Sequence, residues 1–143
     1  MIVVFIAIGA LPFVVGGMQN WYMLNNADTL LPYSLISLFF LFIWGCIAFL
    51  LNGRHQQTET VVVFLNLIAL SDLLLVGIQE LILQHYWTSV VGTWSQYFYL
   101  PLLNLGFRLT NWSHIVFPAY AASFLLMLGV SFIGCKLREK AKR

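Results

Sequence analysis

The sequence predicts an all-α integral membrane protein: an antiparallel bundle of four transmembrane helices, with an amphipathic interfacial helix in the long outer loop between helices 3 and 4. Three observations predict it. The chain is 61% hydrophobic and 8% charged, with a mean hydropathy of +0.88, whereas charged residues make up about a quarter of an ordinary soluble domain. Four apolar stretches, 2–22, 30–51, 60–83 and 113–135, each approach the roughly 20 residues a helix needs to cross a hydrocarbon core about 30 Å thick. These runs are continuously apolar rather than alternating, which selects helices over the strands of a membrane barrel. All 143 residues are accordingly read as one four-helix domain joined by short connections.

Helix 1 carries Pro12 near mid-depth between Gly9 and Gly16-Gly17, which predicts a bend or a close helix contact there. It lacks a basic leader and a convincing small-residue cleavage site, so it reads as a retained span rather than a signal peptide. In the first outer loop Asp28 and Thr29 offer N-cap chemistry for helix 2, and Pro32 suits its first turn. Asn52-Gly53-Arg54-His55-Gln56-Gln57 is a tight polar turn, after which Thr58 or Thr60 can cap helix 3. Ser34, Ser37, Gly45 and Ala48 in helix 2, and Ala119, Ala122 and Gly129 in helix 4, are small residues at helical spacing. Such seams let backbones approach in lipid, where no hydrophobic drive separates helix from solvent.

Basic residues set the orientation. Arg54 lies in the second loop, Arg108 in the third, and Lys136, Arg138, Lys140, Lys142 and Arg143 in the tail 136–143. The positive-inside rule places the second loop and tail in the cytosol, and four crossings return both termini to that side. The expected setting is a bacterial cytoplasmic membrane.

Helix 3 holds the most informative residue. Asp72 sits at the midpoint of an apolar span with no Lys or Arg in it, although a carboxylate at the bilayer centre costs about 2.5–3.5 kcal/mol on insertion scales. Gln79 follows seven residues later on the same face, and Glu80 stands near the outer boundary. One reading makes this line a cation-binding or coupling path. A second makes Asp72 an assembly contact to another subunit, and a third makes it a buried carboxyl hydrogen-bonded to Ser37, Tyr120 or Ser123 at similar depth. Glu80 has the plain alternative of a helix-end charge reaching the interface, and Asn66 points away from the line.

The third loop is aromatic, with Trp87, Trp94, Tyr97, Phe98, Tyr99, Phe107 and Trp112. Over 94–112, Asn104, Arg108 and Asn111 alternate with Leu102, Leu105 and Leu109 at helical spacing, the pattern of a helix lying in the outer headgroup layer with Gly106 weakening it. Trp94, Tyr97, Tyr99, Arg108, Trp112 and His114 are therefore candidates for contact with a ligand or partner at the outer face. Anchoring at the interface is the ordinary explanation for such a belt. Glu80, His85 and His114 lack the spacing of a metal site, and no metal or cofactor is expected. Cys46 and Cys135 read as apolar fillers on the inner side. The outline is coarsely similar to that of membrane disulfide-generating enzymes that use quinone, but those require outer-side cysteine pairs, which this chain lacks.

No phosphate-binding loop, nucleophile elbow or catalytic triad pattern is present, so no catalytic residue is assigned. Nothing supports nucleic-acid binding. The leading reading is a homo-oligomeric or accessory component of a membrane transport or ion-translocating assembly, with Asp72 as its carboxylate and the bilayer and other membrane subunits, or copies of itself, as partners. The alternatives are a non-transporting subunit that stabilises a larger membrane complex, and an enzyme acting on a lipid or quinone at the outer leaflet through Glu80, Arg108 and His114.

Overall fold

A computed structural model describes residues 2–26, 28, 30–53, 57–85, 90–111 and 114–141. It is helical throughout these segments: α1 (Ile2–Gly9), α2 (Leu11–Asn25), α3 (Tyr33–Leu51), α4 (Thr58–Leu65), α5 (Leu67–Gly77), a π-helical turn (Ile78–Ile82), α6 (Val90–Leu109) and α7 (Phe117–Ala141). Three helices are long and apolar enough to cross a membrane: Val3–Asn25, Tyr33–Leu51 and Phe117–Ala141. Counting the bent pair Thr58–Leu65 and Leu67–Ile82 as one span makes four. The chain is a small polytopic membrane protein.

Both interruptions have a local cause. Pro12 lacks the N–H that would bond the Ile8 carbonyl, so α1 gives way to α2 at Ala10 (φ −85°, ψ −8°) with little change of direction. At Asn66 (φ −102°, ψ 10°) the chain bends by 44° between α4 and α5. There the side-chain Nδ2 donates to the Val62 carbonyl at 2.9 Å, competing with the regular backbone ladder.

Polar side chains fasten the helices to one another, as expected where lipid supplies no hydrogen bonds. Asn66 also donates to the Ser131 hydroxyl (3.1 Å) and accepts from the Trp44 indole (3.3 Å), joining α3, α7 and the α4–α5 bend. Nearer the chain terminus, Asn52 Nδ2 donates to the Cys135 carbonyl (2.9 Å), while Thr58 donates to Glu139. Thr58 thus begins α4 without capping it, since Gln57 occupies the N-cap. Likewise α3 starts after Pro32 with no side-chain cap, so Asp28 does not serve there, and Thr29 lies outside the described residues.

The α3–α7 seam falls where Gly45 meets Val130 and Gly134, whose added Cβ would collide with the Gly45 carbonyl. Ala48 packs beside it against Cys135. Gly129, expected in this seam, faces open space, and Gly134 takes that role one and a half turns further on.

The largest departure concerns the third loop. The helix expected over 94–112 forms as the 20-residue α6 over 90–109, and it packs against α2, α3 and α7. Phe98, Tyr99, Pro101 and Leu102 are wholly enclosed. Gly106 does not weaken the helix. Its missing side chain admits the Ala119 carbonyl and the Ser123 hydroxyl of α7. Of the polar residues that suggested a headgroup position, Asn104 is used inward, its Oδ1 accepting from Ser34 at 2.9 Å, while Arg108 and Asn111 are exposed; Ser37 also donates to the Pro101 carbonyl at 2.6 Å.

Candidate functional site

Asp72 lies on α5 with 7% of its surface exposed, and its Oδ2 is buried without a hydrogen-bond partner among the described residues. It lines a groove of about 440 Å³, shared with Ser71 and Leu75 on its own helix, Phe13 on α2, and Trp94 and Ser95 on α6. Part of its lining is exposed: Trp94 is 53% exposed and the neighbouring Val90 is 73% exposed. Its two hydroxyls are occupied as donors within their own helices, Ser71 to the Leu67 carbonyl (3.0 Å) and Ser95 to the Gly92 carbonyl (2.8 Å). Phe13 and Trp94 form one wall, ring centroids 5.8 Å apart and planes at 59°. The site is a carboxyl set in an apolar, aromatic cleft.

The residues expected to tether Asp72 are engaged elsewhere. Ser37 reaches the Tyr33 and Pro101 carbonyls, and Ser123 donates to the Ala119 carbonyl at 2.8 Å. Tyr120 stacks edge-on against Tyr99, centroids 5.4 Å apart. Tyr99 donates its hydroxyl to the Ala69 carbonyl at 2.6 Å, less than one turn from Asp72.

Gln79 is fully buried in the π-helical turn. Glu80 follows it, and its carboxylate accepts the backbone N–H groups of Val116 (2.7 Å) and Phe117. These open α7, so Glu80 caps that helix from a neighbouring one, where a negative charge also complements the dipole. Glu80 therefore has a defined structural use at the start of α7.

Of the outer-face candidates, only Trp94 faces a groove that also holds Asp72. Tyr99 is enclosed, and Tyr97 accepts a hydrogen bond from Asn20 on α2 (3.1 Å). Ring contacts run Trp94–Phe13–Phe98–Tyr99–Tyr120, so the aromatic surplus of this segment is largely interior packing. Arg108 borders a separate cleft with Asn104 and the start of α3. His114 is exposed just before α7, and Trp112 lies outside the described residues, as do Trp87, Arg54, Lys142 and Arg143. No ion pair joins Glu80 to Arg108 among the described residues. Nor do the described His, Cys, Asp and Glu residues form a group that could hold a metal ion.

The sequence pattern assigned no role to Ser131 or Phe13, and set Asn66 aside as pointing away from the Asp72 line. Asn66 had a readable signal, a second polar side chain inside the same apolar span as Asp72. Phe13 had none, because a single aromatic residue among apolar ones does not announce which groove it borders. No protein family, curated protein or solved structure matches the chain.

Proposed function

We propose that this protein is a homo-oligomeric or accessory component of a membrane transport assembly in which Asp72 binds a cationic species within the bilayer. The observation that carries this reading is the buried Asp72 carboxyl, with an unpartnered Oδ2, on the wall of an open groove. A buried polar atom without a partner costs about 1–3 kcal/mol, and more when charged. Ser37 and Ser123 make their hydrogen bonds elsewhere, which argues against Asp72 as an internal tether. Four spans enclose little room for a pore, so the path forms between copies or against another subunit. The exposed lining of the groove at Val90 and Trp94 supports that placement. In this reading the basic tail faces the cytosol.

A second reading shares the same chemistry: a Lys or Arg on a partner's transmembrane helix supplies the cation, and the protein stabilises a larger complex without transporting. The exposed apolar residues Val90 and Trp94 favour it, since both line the groove and a helix seated there would cover them. An enzyme built on Glu80, Arg108 and His114 has less support, because Glu80 already serves as a helix cap.

Charge movement in vesicles reconstituted with the full chain tests the transport reading. Gradients of protons, sodium or benzyltributylammonium are applied in turn. At least one should drive a current that Asp72→Asn abolishes without changing oligomer size. Silence with all three, or an equal current in the variant, ends it. Loss of a stoichiometric companion subunit on Asp72→Leu would instead favour the second reading.

A further inference from the structure

We propose that the Asp72 groove binds a lipophilic organic cation, an amine or quaternary ammonium bearing aryl or alkyl groups, in preference to a bare inorganic ion. The inference deepens the transport reading and rests on it for its biological purpose, but the binding site stands on its own geometry. Calcium takes about six to eight oxygen ligands, and magnesium demands a near-octahedral oxygen shell and gives up its water reluctantly. Here the groove presents the Asp72 carboxyl and two hydroxyls, Ser71 and Ser95, both already committed as donors to nearby carbonyls. That set is too sparse to strip an inorganic ion of its hydration shell.

An organic ammonium makes different demands. Its charge is spread over a bulky, weakly hydrated surface, and it needs one counter-charge, aromatic faces and apolar volume. The groove supplies each of these. Asp72 is the only ionisable residue among the described residues that line it. Phe13 and Trp94 set two tilted rings on one wall, and Leu75 and Ile68 extend the apolar lining. A volume of about 440 Å³ falls within the range of roughly 300–1,000 Å³ that small-molecule sites occupy. The exposed apolar lining at Val90 and Trp94 suits a ligand that partitions into lipid.

Equilibrium dialysis of labelled benzyltributylammonium against the detergent-purified full chain tests this. Saturable binding is expected. It should weaken about tenfold or more in Asp72→Asn and severalfold in Trp94→Ala, and recover in Trp94→Phe. The uncharged isostere, with carbon in place of nitrogen, should compete poorly, and excess sodium should not compete. Equal competition by the isostere, displacement by sodium, or undiminished binding in Asp72→Asn would each overturn the assignment. The isostere and sodium arms use the unmodified protein, so a folding defect in a variant cannot obscure the result. Ammonium binding without charge movement would leave the site standing and end the transport reading. Proton- or sodium-driven current without ammonium binding would do the reverse.

Discussion

Gly16 on α2 lies directly against the backbone carbonyl of Tyr97 on α6, so closely that an added Cβ would overlap the oxygen. Pro101 explains why that carbonyl is available. It stands four residues after Tyr97 and has no N–H to offer it, so a missing donor in one helix coincides with a missing side chain in the other. The approach also carries Phe13, one turn earlier on α2, to Trp94 and Phe98, and so shapes the wall of the Asp72 groove.

Consecutive glycines on α2 should therefore respond in opposite ways. Gly16→Ala must push α2 away from α6, an overpacking cost of about 1–3 kcal/mol. Gly17 has nothing within 4 Å of its added Cβ, so Gly17→Ala should be neutral or gain up to about 1 kcal/mol in helix propensity. Unfolding of both variants in the same detergent, followed by far-UV circular dichroism, gives the comparison. Equal stability of the two would contradict the α2–α6 contact.

Asn66 is the second structural test. Its side chain touches α3 through Trp44 and α7 through Ser131 while holding the bend between α4 and α5. Interhelical hydrogen bonds in membranes are worth about 0.6 kcal/mol on average and up to about 1.7. Asn66→Leu removes two of them and strands the Trp44 indole N–H, so a loss of about 1–3 kcal/mol is expected. Trp44→Phe in the same background should add little, because its partner is already gone. A double-mutant cycle on unfolding free energies reads this coupling, and full additivity would disprove it.

The apolar spans were legible because composition alone separates them from soluble sequence, and Asp72 was legible because it breaks one of them. The position of α6 was not. Its tyrosines, Ser95, Gln96 and Asn104 dilute its hydropathy, and the same residues signal either a headgroup surface or an interior whose polar atoms satisfy one another. Tyr99 and Asn104 decide the matter only through Ala69 and Ser34, residues 30 and 70 positions away. The capping role of Glu80 was hidden for the same reason, since its N–H partners lie 36 and 37 residues further on.

Glu80 should behave as a cap rather than as part of an ion path. Glu80→Ala leaves the first N–H groups of α7 without an acceptor and should destabilise by about 0.5–2 kcal/mol. Glu80→Gln retains an accepting oxygen but loses the charge that complements the dipole, costing about 0.3–1 kcal/mol. Amide exchange at Val116 and Phe117 should accelerate in the order wild type, Gln, Ala. Cation binding at the Asp72 groove should be unchanged in Glu80→Gln, and a matching loss of binding would mean that the two carboxyls act together.

Asp72 should carry the opposite signature from Asn66. A residue kept as internal glue stabilises its fold, whereas one kept for a ligand from outside the chain is a stability burden until that ligand arrives. With Oδ2 buried and unpartnered, replacing the carboxyl by an apolar group of similar reach removes an unmet hydrogen bond beside an apolar wall. Asp72→Leu in the ligand-free protein should thus unfold at higher denaturant concentration, by about 1–3 kcal/mol. Saturating benzyltributylammonium should stabilise the wild type, as any ligand selective for the native state must, and leave Asp72→Leu unmoved. If Asp72→Leu instead falls apart as readily as Asn66→Leu, the carboxyl is holding the helices together and the groove is incidental.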